Sequence, residues 1–445
     1  MTWTPDDWRG LSALQQPDWP DQAAVTTAAK ELAQWPPLVF AGEVRDLKSS
    51  LAEVAHGNAF LLQAGDCAES FHDHSASRVR EMLKVLLQMS AIVTYAAGTP
   101  VVKIARTAGQ YAKPRSSPTE TVDGVELPSF RGHIVNSEDP DATARIPDPR
   151  RMLDAYHRAA STLNLLRAFT HGGFADLTRV HAWNQEFIAS SPEGKRFEKL
   201  AAEIDRALDF MRAIGVQTDD PRLHQVDVWT SHEALLLEYE QALTRTDSLT
   251  GDWYDCSGHM LWIGERTRDP DGAHVRFLSG VGNPIGCKVG PTATPEDVKR
   301  LCEVLDPDRE PGRLTLISRM GKDKVRDSLP ALVEATRAEG WPVIWQCDPM
   351  HGNTFTSSNG RKTRNLSDIV NEIDGFFEVH SSLGTHPGGI HLEITGDAVT
   401  ECIGGETALT EDDLPRAYST LCDPRLNGRQ GIDLSFHLAD LIVGR

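Results

Sequence analysis

No apolar run in this 445-residue chain approaches the length of a membrane-spanning helix. The first residues, Met1-Thr2-Trp3-Thr4-Pro5-Asp6-Asp7, lack the basic and apolar regions of a secretory leader, so a cytoplasmic protein is expected. No Cys-x-x-Cys pair is present, which argues against a structural zinc knuckle. The seven cysteines are odd in number and not spaced like a disulfide framework, which fits a reducing compartment. Basic residues are scarce: 45 Lys and Arg stand against 64 Asp and Glu, for a net charge of −19. Such a balance argues against nucleic acid as a partner, because phosphate backbones need basic stripes. There is no phosphate-binding loop, dinucleotide fingerprint or Gly-x-Ser-x-Gly elbow. Internal repeats and low-complexity tracts are also missing.

What the chain does have is a set of short apolar runs that end in chemically loaded residues. The runs are 59–64, 100–105, 226–230, 260–263, 285–289, 314–318, 342–347 and 389–394. At or just past their ends come Cys67, Arg106, Glu233, Glu265 with Arg266, Lys288, Arg319, His351 and Glu393. Eight β-like runs separated by helical segments predict an α/β fold, a (β/α)₈ TIM barrel. In that fold the C-terminal strand ends converge on one mouth, and the chemistry sits there.

Residues 1–57 read as an N-terminal extension, broken into short pieces by Trp19-Pro20 and Trp35-Pro36. Residues 58–445 read as the catalytic barrel. Within it, 112–150 are rich in Pro, Ser, Asp and Glu and read as a long loop. Helical spacing follows over 151–169, with Leu153, Tyr156, Leu163, Leu166 and Phe169 on one face. A second helix is predicted over 191–214. It opens on Ser191-Pro192-Glu193, an N-cap followed by Pro, and aligns Phe197, Leu200, Ile204, Met211 and Ile214. The gap between the second and third strands is too long for one crossover helix. It reads as an inserted helical pair, 150–220, serving assembly or regulation, or simply padding the fold.

Cys67, His351, Glu393 and Asp423 form a mixed sulfur, nitrogen and oxygen set suited to a borderline divalent ion. Each alone reads equally well as a packed or solvated residue. Placement of three of them at strand ends favours the joint reading. Arg106, Arg266, Lys288 and Arg319 are cations that follow apolar strands. Clustered in an acidic protein, they call for an anion, for which Arg supplies bidentate contacts and Lys a point charge. Lys113-Pro114-Arg115-Ser116-Ser117 offers a second set of phosphate donors, or a solvated loop.

Seven segments together closely resemble the type II 3-deoxy-D-arabino-heptulosonate 7-phosphate (DAHP) synthases. They are GDCAESF (65–71), ARTAGQYAKPRSS (105–117), HMLWIGERTR (259–268), NPIGCKVGP (283–291), DPMHGNT (348–354), GGIHLEITG (388–396) and CDPRLN (422–427). The resemblance runs from near residue 37 to the end. It implies the first step of the shikimate pathway, in which phosphoenolpyruvate and erythrose 4-phosphate give DAHP and phosphate. It also implies a TIM barrel and a divalent ion, manganese or alternatively cobalt.

Carried over motif by motif, Cys67, His351, Glu393 and Asp423 resemble the metal ligands. Arg106, Arg266, Lys288 and Arg319 resemble the phosphoenolpyruvate clamp, with Glu265 beside them. Lys113, Arg115 and Ser116 resemble the erythrose 4-phosphate site. Lys288 and Glu265 are the expected catalytic residues: Lys288 to protonate a forming alkoxide, Glu265 to steer water. The helical insertion resembles the regulatory helices that bind aromatic amino acids. The other expected partners are further copies of this chain, as a dimer or tetramer, and a chorismate mutase. Two readings remain open beside this one. One is a metal-dependent aldolase that uses phosphoenolpyruvate with another aldehyde. The other is a barrel that mainly scaffolds a mutase.

Overall fold

The computed structural model describes residues 3–122, 124–189, 191–215, 225–406 and 408–444. Eight parallel strands close a barrel in sequential order. They are β1 (Phe60–Gly65), β2 (Val101–Arg106), β3 (Trp229–Glu233), β4 (Met260–Ile263), β5 (Ile285–Val289), β6 (Leu314–Ser318), β7 (Ile344–Cys347) and β8 (Gly389–Glu393). The (β/α)₈ expectation therefore holds, and β4, β5 and β6 have the expected bounds.

β3 begins three residues later than its apolar run suggested. The reason is chemical. Its residues Thr230, Ser231, His232 and Glu233 are all buried yet all polar, so the strand does not read as an apolar run.

The longer helices among the described residues are α1 (Gln22–Leu32), α2 (Ala41–Ala55), α3 (Ala76–Ala97), α4 (Arg151–His171), α5 (Pro192–Ala213), α6 (Leu237–Leu243), α7 (Ala273–Ser279), α8 (Pro295–Leu305), α9 (Val325–Ala338), α10 (Leu366–Leu383) and α11 (Gly428–Val443). The last, α11, packs on α3 and completes the outer ring. No helix among the described residues is long and apolar enough to cross a membrane.

The segment before β1 folds onto the barrel. Leu47, Leu51 and Val54 of α2 are fully buried against Leu61, Val102, Met260 and Ile344. These barrel residues lie in the entering halves of β1, β2, β4 and β7, so α2 plugs the floor with an apolar layer. Upward the interior turns polar: Gln63 Nε2 donates to Ser231 Oγ at 2.9 Å, and His391 shares a 2.8 Å hydrogen bond with Gln63 Oε1. The apolar end supplies packing, and the polar end faces the mouth.

Between β2 and β3 lie α4 and α5. Ser191 caps α5, its Oγ accepting from Gly194 N at 3.0 Å. Phe197, Leu200, Ala201 and Leu208 of α5 are buried, but Met211 and Ile214, expected on the same face, are exposed at its far end. Residues 216–220 of the expected insertion lie outside the described residues. The stretch 112–150 is not all loop. Thr119–Val122 and Val125–Pro128 pair as an antiparallel hairpin, which its Glu-rich, exposed sequence had concealed.

Candidate metal and substrate site at the barrel mouth

Register sets the centre of the site. Gly65 at the end of β1 pairs with Arg106 on one side and Glu393 on the other. Arg106 Nη2 donates to Glu393 Oε1 at 3.0 Å. Two residues past β1, Cys67 is buried, and its sulfur accepts from Asp423 N at 3.2 Å. One donor atom from each of Cys67, Glu393 and Asp423 falls within 4.8 Å of the others. His351, beyond β7, brings Nε2 to 3.2 Å from Glu393 Oε1. All four expected ligands are thus neighbours.

His351 is oriented from behind. Its Nδ1 lies 2.7 Å from Asp348 Oδ2, and Asp348 is fully buried. A carboxylate can only accept, so Nδ1 donates to Asp348, and Nε2, facing the Glu393 carboxylate, is likewise placed to donate; a bound ion would take the place of that Nε2 proton. A carboxylate behind a histidine is the usual way a ligating imidazole is aimed.

Cations crowd this cluster. Lys113 Nζ is 3.4 Å from both Glu393 Oε1 and Asp423 Oδ2. Arg364, fully buried, donates from Nη1 to Glu393 Oε2 at 2.7 Å and to the Pro424 carbonyl. Burial opposes charge on Glu393, yet His351, Lys113 and Arg364 hold its carboxyl well below the usual range. Asp423 behaves alike: burial opposes its charge and Lys113 leads the groups that lower it. The Cys67 thiol goes the other way. Burial raises it well above a free thiol, helped by the hydrogen bond with Cys422 and the charge of Glu393. A thiolate there needs additional positive charge, which a divalent ion supplies.

Lys288, on β5, donates to Asp348 Oδ2 at 2.7 Å and lies 3.3 Å from His351 Nδ1. Burial lowers its pKa, with Asp348 pulling back. Lys288 and Arg106 both sit by the Trp262 ring, 5.9 and 5.1 Å from its centroid. Arg319, just past β6, is half-buried and donates to the His351 carbonyl at 3.1 Å. Arg266 is exposed beyond β4, and Glu265 pairs with Arg268 at 3.2 Å. Arg106, Lys288 and Arg319 thus line one side of the mouth, with Arg266 and Glu265 at its rim.

The Lys113, Arg115 and Ser116 group divides. Lys113 turns inward to the carboxylates, while Arg115 pairs with Glu120 and Ser116 is exposed. Arg115 Nη1 also approaches Cys422 Sγ at 3.9 Å.

Four residues placed here have no role in the sequence reading. Glu233 stands at the end of β3. Its buried carboxyl is raised by burial, opposed by Lys288, Lys113, His351 and Arg106. Asp348 was visible, three residues before His351 and directly after a strand. His391 lies two residues before Glu393 on the same inward row and accepts from Arg106. Arg364 had no signal, because Arg361-Lys362-Thr363-Arg364 reads as a solvated basic run.

A family model described as the class-II DAHP synthetase family matches residues 3–439. Phospho-2-dehydro-3-deoxyheptonate aldolase of Streptomyces coelicolor is 59% identical over 434 residues, covering 98% of this chain and 96% of that protein. Phospho-2-dehydro-3-deoxyheptonate aldolase AroG of Mycolicibacterium smegmatis is 53% identical over 436 residues, covering 97% and 92% respectively.

Proposed function

The chain belongs to the class-II DAHP synthetase family, and from that premise we propose how its barrel mouth performs the family's reaction. The enzyme is a transferase that condenses phosphoenolpyruvate, erythrose 4-phosphate and water to DAHP and phosphate, the first step of the shikimate pathway. The family is metal-dependent. The residues present fit such an ion: a thiol, an imidazole nitrogen and two carboxylates converge, and Lys113 already holds positive charge against both carboxylates. Cys67, His351, Glu393 and Asp423 would hold it. Manganese is the ion we propose, with cobalt as a substitute, since the donor set is borderline in softness. When bound, the ion supplies Lewis acidity toward an aldehyde oxygen.

The chain's own residues do the rest. Arg106, Lys288 and Arg319, with Arg266 at the rim, hold the carboxylate and phosphate of phosphoenolpyruvate. Arg115 and Ser116, with Lys113 behind them, hold the phosphate of erythrose 4-phosphate. Fixed in this way, the enol carbon faces the aldehyde carbon and a C–C bond forms. Lys288 Nζ donates a proton to the new alkoxide. Its lowered pKa and its hydrogen bond to Asp348 suit it to give the proton and recover it. Water adds at the phosphate-bearing carbon, steered by Glu265, which takes one of its protons. The bond from that carbon to the phosphate oxygen then breaks, the new hydroxyl gives its proton to the departing phosphate as the ketone forms, and the clamp cations stabilise the phosphate.

The convergence of the four donors beside three buried or half-buried clamp cations carries this reading. A coupled assay of phosphoenolpyruvate loss and phosphate release, with erythrose 4-phosphate and other aldose phosphates, tests it. Turnover with erythrose 4-phosphate, abolished by chelator and restored by manganese, is expected. Full turnover in thoroughly metal-stripped protein would refute the ligand assignment.

A second site is proposed for an aromatic amino acid. A 730 Å³ cavity lies between α3, α5 and the entering ends of β1, β2 and β3. Leu87, Trp183, Ile204 and Trp229 give it apolar walls, and Lys103 stands opposite the carboxyl groups of Asp227 and Glu53. That combination suits an aromatic side chain carrying an ammonium and a carboxylate. The enzyme is proposed to work in the cytoplasm as a dimer or tetramer, and to be open to a chorismate mutase partner.

A further inference from the structure

Two mouth loops carry different parts of the proposed chemistry. The loop after β6 begins at Arg319, and the loop after β7 holds His351. A carboxylate on neither loop joins them. Glu372 sits on α10 and is fully buried. Its Oε1 accepts from Met320 N and Gly321 N, both at 2.8 Å. Its Oε2 accepts from Asn353 Nδ2 at 2.7 Å. Asn353 in turn donates to the Pro349 carbonyl at 2.8 Å and accepts from Lys322 N at 3.0 Å.

The loops also meet backbone to backbone. A Cβ on Gly352 would stand 2.4 Å from Gly321 N, and Gly321 itself has φ +85°. Glycine is required at both places. Across this seam Arg319 Nη2 donates to the His351 carbonyl at 3.1 Å. The two loops therefore have little freedom to move apart.

We propose that Glu372, acting through Asn353, is a positioning residue that locks the Arg319 loop to the His351 loop, so that metal binding and phosphoenolpyruvate binding reinforce each other. The inference rests on the reading of His351 as a metal ligand and Arg319 as part of the phosphoenolpyruvate clamp. Burial lifts the Glu372 carboxyl to about 8, opposed by its hydrogen bonds from Gly321, Met320 and Asn353; as a carboxylate it can only accept, and it gathers three donors from two loops. Ordering His351 around an ion then orders Arg319 through the same lock. By linkage, an anion that orders Arg319 must raise metal affinity by the same factor.

Glu372→Gln cuts the link while keeping its shape. Its amide nitrogen would face either Asn353 Nδ2 or the Met320 and Gly321 N–H groups, donor against donor. The experiment uses the full chain. Phosphoenolpyruvate affinity is read from tryptophan fluorescence with and without Mn²⁺, and Mn²⁺ affinity from its electron paramagnetic resonance signal with and without phosphoenolpyruvate.

In the wild type, each probe should tighten the other by one common factor. In Glu372→Gln that factor should fall by about tenfold, and in Asn353→Ser by less. A merely structural role would lower thermal stability but leave the factor intact. An unchanged factor in Glu372→Gln overturns the lock. If that variant does not fold, an unchanged factor in Asn353→Ser overturns it instead. Wild-type protein that binds neither probe would refute the site reading itself, and the lock with it.

Discussion

Lys113, buried at the mouth, and Lys103, half-buried in the cavity near the floor, carry ammonium groups that behave in opposite ways. Burial penalises both. At Lys113, Cys67, Glu393 and Asp423 overcome the penalty and hold the proton well above the usual range. At Lys103, only the charge of Asp227 opposes burial, and the pKa falls to about 8. Its Nζ does donate to the Val101 carbonyl at 2.9 Å. Desolvation alone disfavours charge, whereas anionic neighbours at hydrogen-bond range restore it. The mouth is thus a self-paired ionic cluster, while in the floor cavity the charge of Asp227 does not offset the burial of Lys103.

The sharpest way to break this contrast is at the centre of the mouth. Glu393→Gln removes a proposed ligand and the counter-charge of Arg106, Lys113 and Arg364 together. Uncompensated buried charge of this kind costs about 3–5 kcal/mol. Loss of Mn²⁺ binding, a fall in turnover of two orders of magnitude or more and a lower melting temperature are expected. Near-normal metal titration would remove Glu393 from the ligand set.

Less severe changes test whether the mouth has two separate anion sites. Arg319→Ala and Arg266→Ala should mainly raise KM for phosphoenolpyruvate, and Arg115→Ala that for erythrose 4-phosphate. One charge-assisted contact is worth about 1.5–3 kcal/mol, so ten- to a hundredfold effects are expected in steady-state kinetics. Equal effects on both substrates from all three variants would merge the sites.

The smallest effect is expected at Lys103. Its folded pKa lies below the unfolded value, so charge on this group destabilises the fold at pH below about 8. As pH rises from 8 toward 10.5, the folded form sheds the proton first and that cost is relieved. A shift of this size corresponds to about 3 kcal/mol at most. Lys103→Met should therefore be more stable than wild type near pH 7, with the advantage shrinking by pH 10 in chemical denaturation. It should also lose any inhibition by aromatic amino acids. A wild-type enzyme insensitive to tryptophan, phenylalanine and tyrosine, singly and mixed, would leave the cavity without its proposed ligand.

Legibility in the sequence followed the same division. Strands with apolar residues on both faces, such as β4 and β6, are legible to the residue. β3 was displaced because its inward residues Ser231 and Glu233 serve the polar interior. The α5 helix is announced by its Ser191-Pro192 start, and of the residues aligned on its one face Phe197 and Leu200 are buried within this chain while Met211 and Ile214 are exposed. Periodicity says which residues share a face, not whether a neighbour reaches that far.

By itself the sequence determined the barrel, the strand ends that bear Cys67, Arg106, Lys288, Arg319, His351 and Glu393, and the family. These are properties of local pattern and of motifs, since a strand's end fixes which residues reach the mouth. Only the tertiary structure decided that Lys113 faces the carboxylates and Arg115 does not, that Arg364 is buried rather than solvated, and that Glu372 holds two loops. Each depends on which groups from distant segments share one desolvated space. In such a space a polar atom is satisfied or costly according to its neighbours, and spacing along the chain carries no record of them.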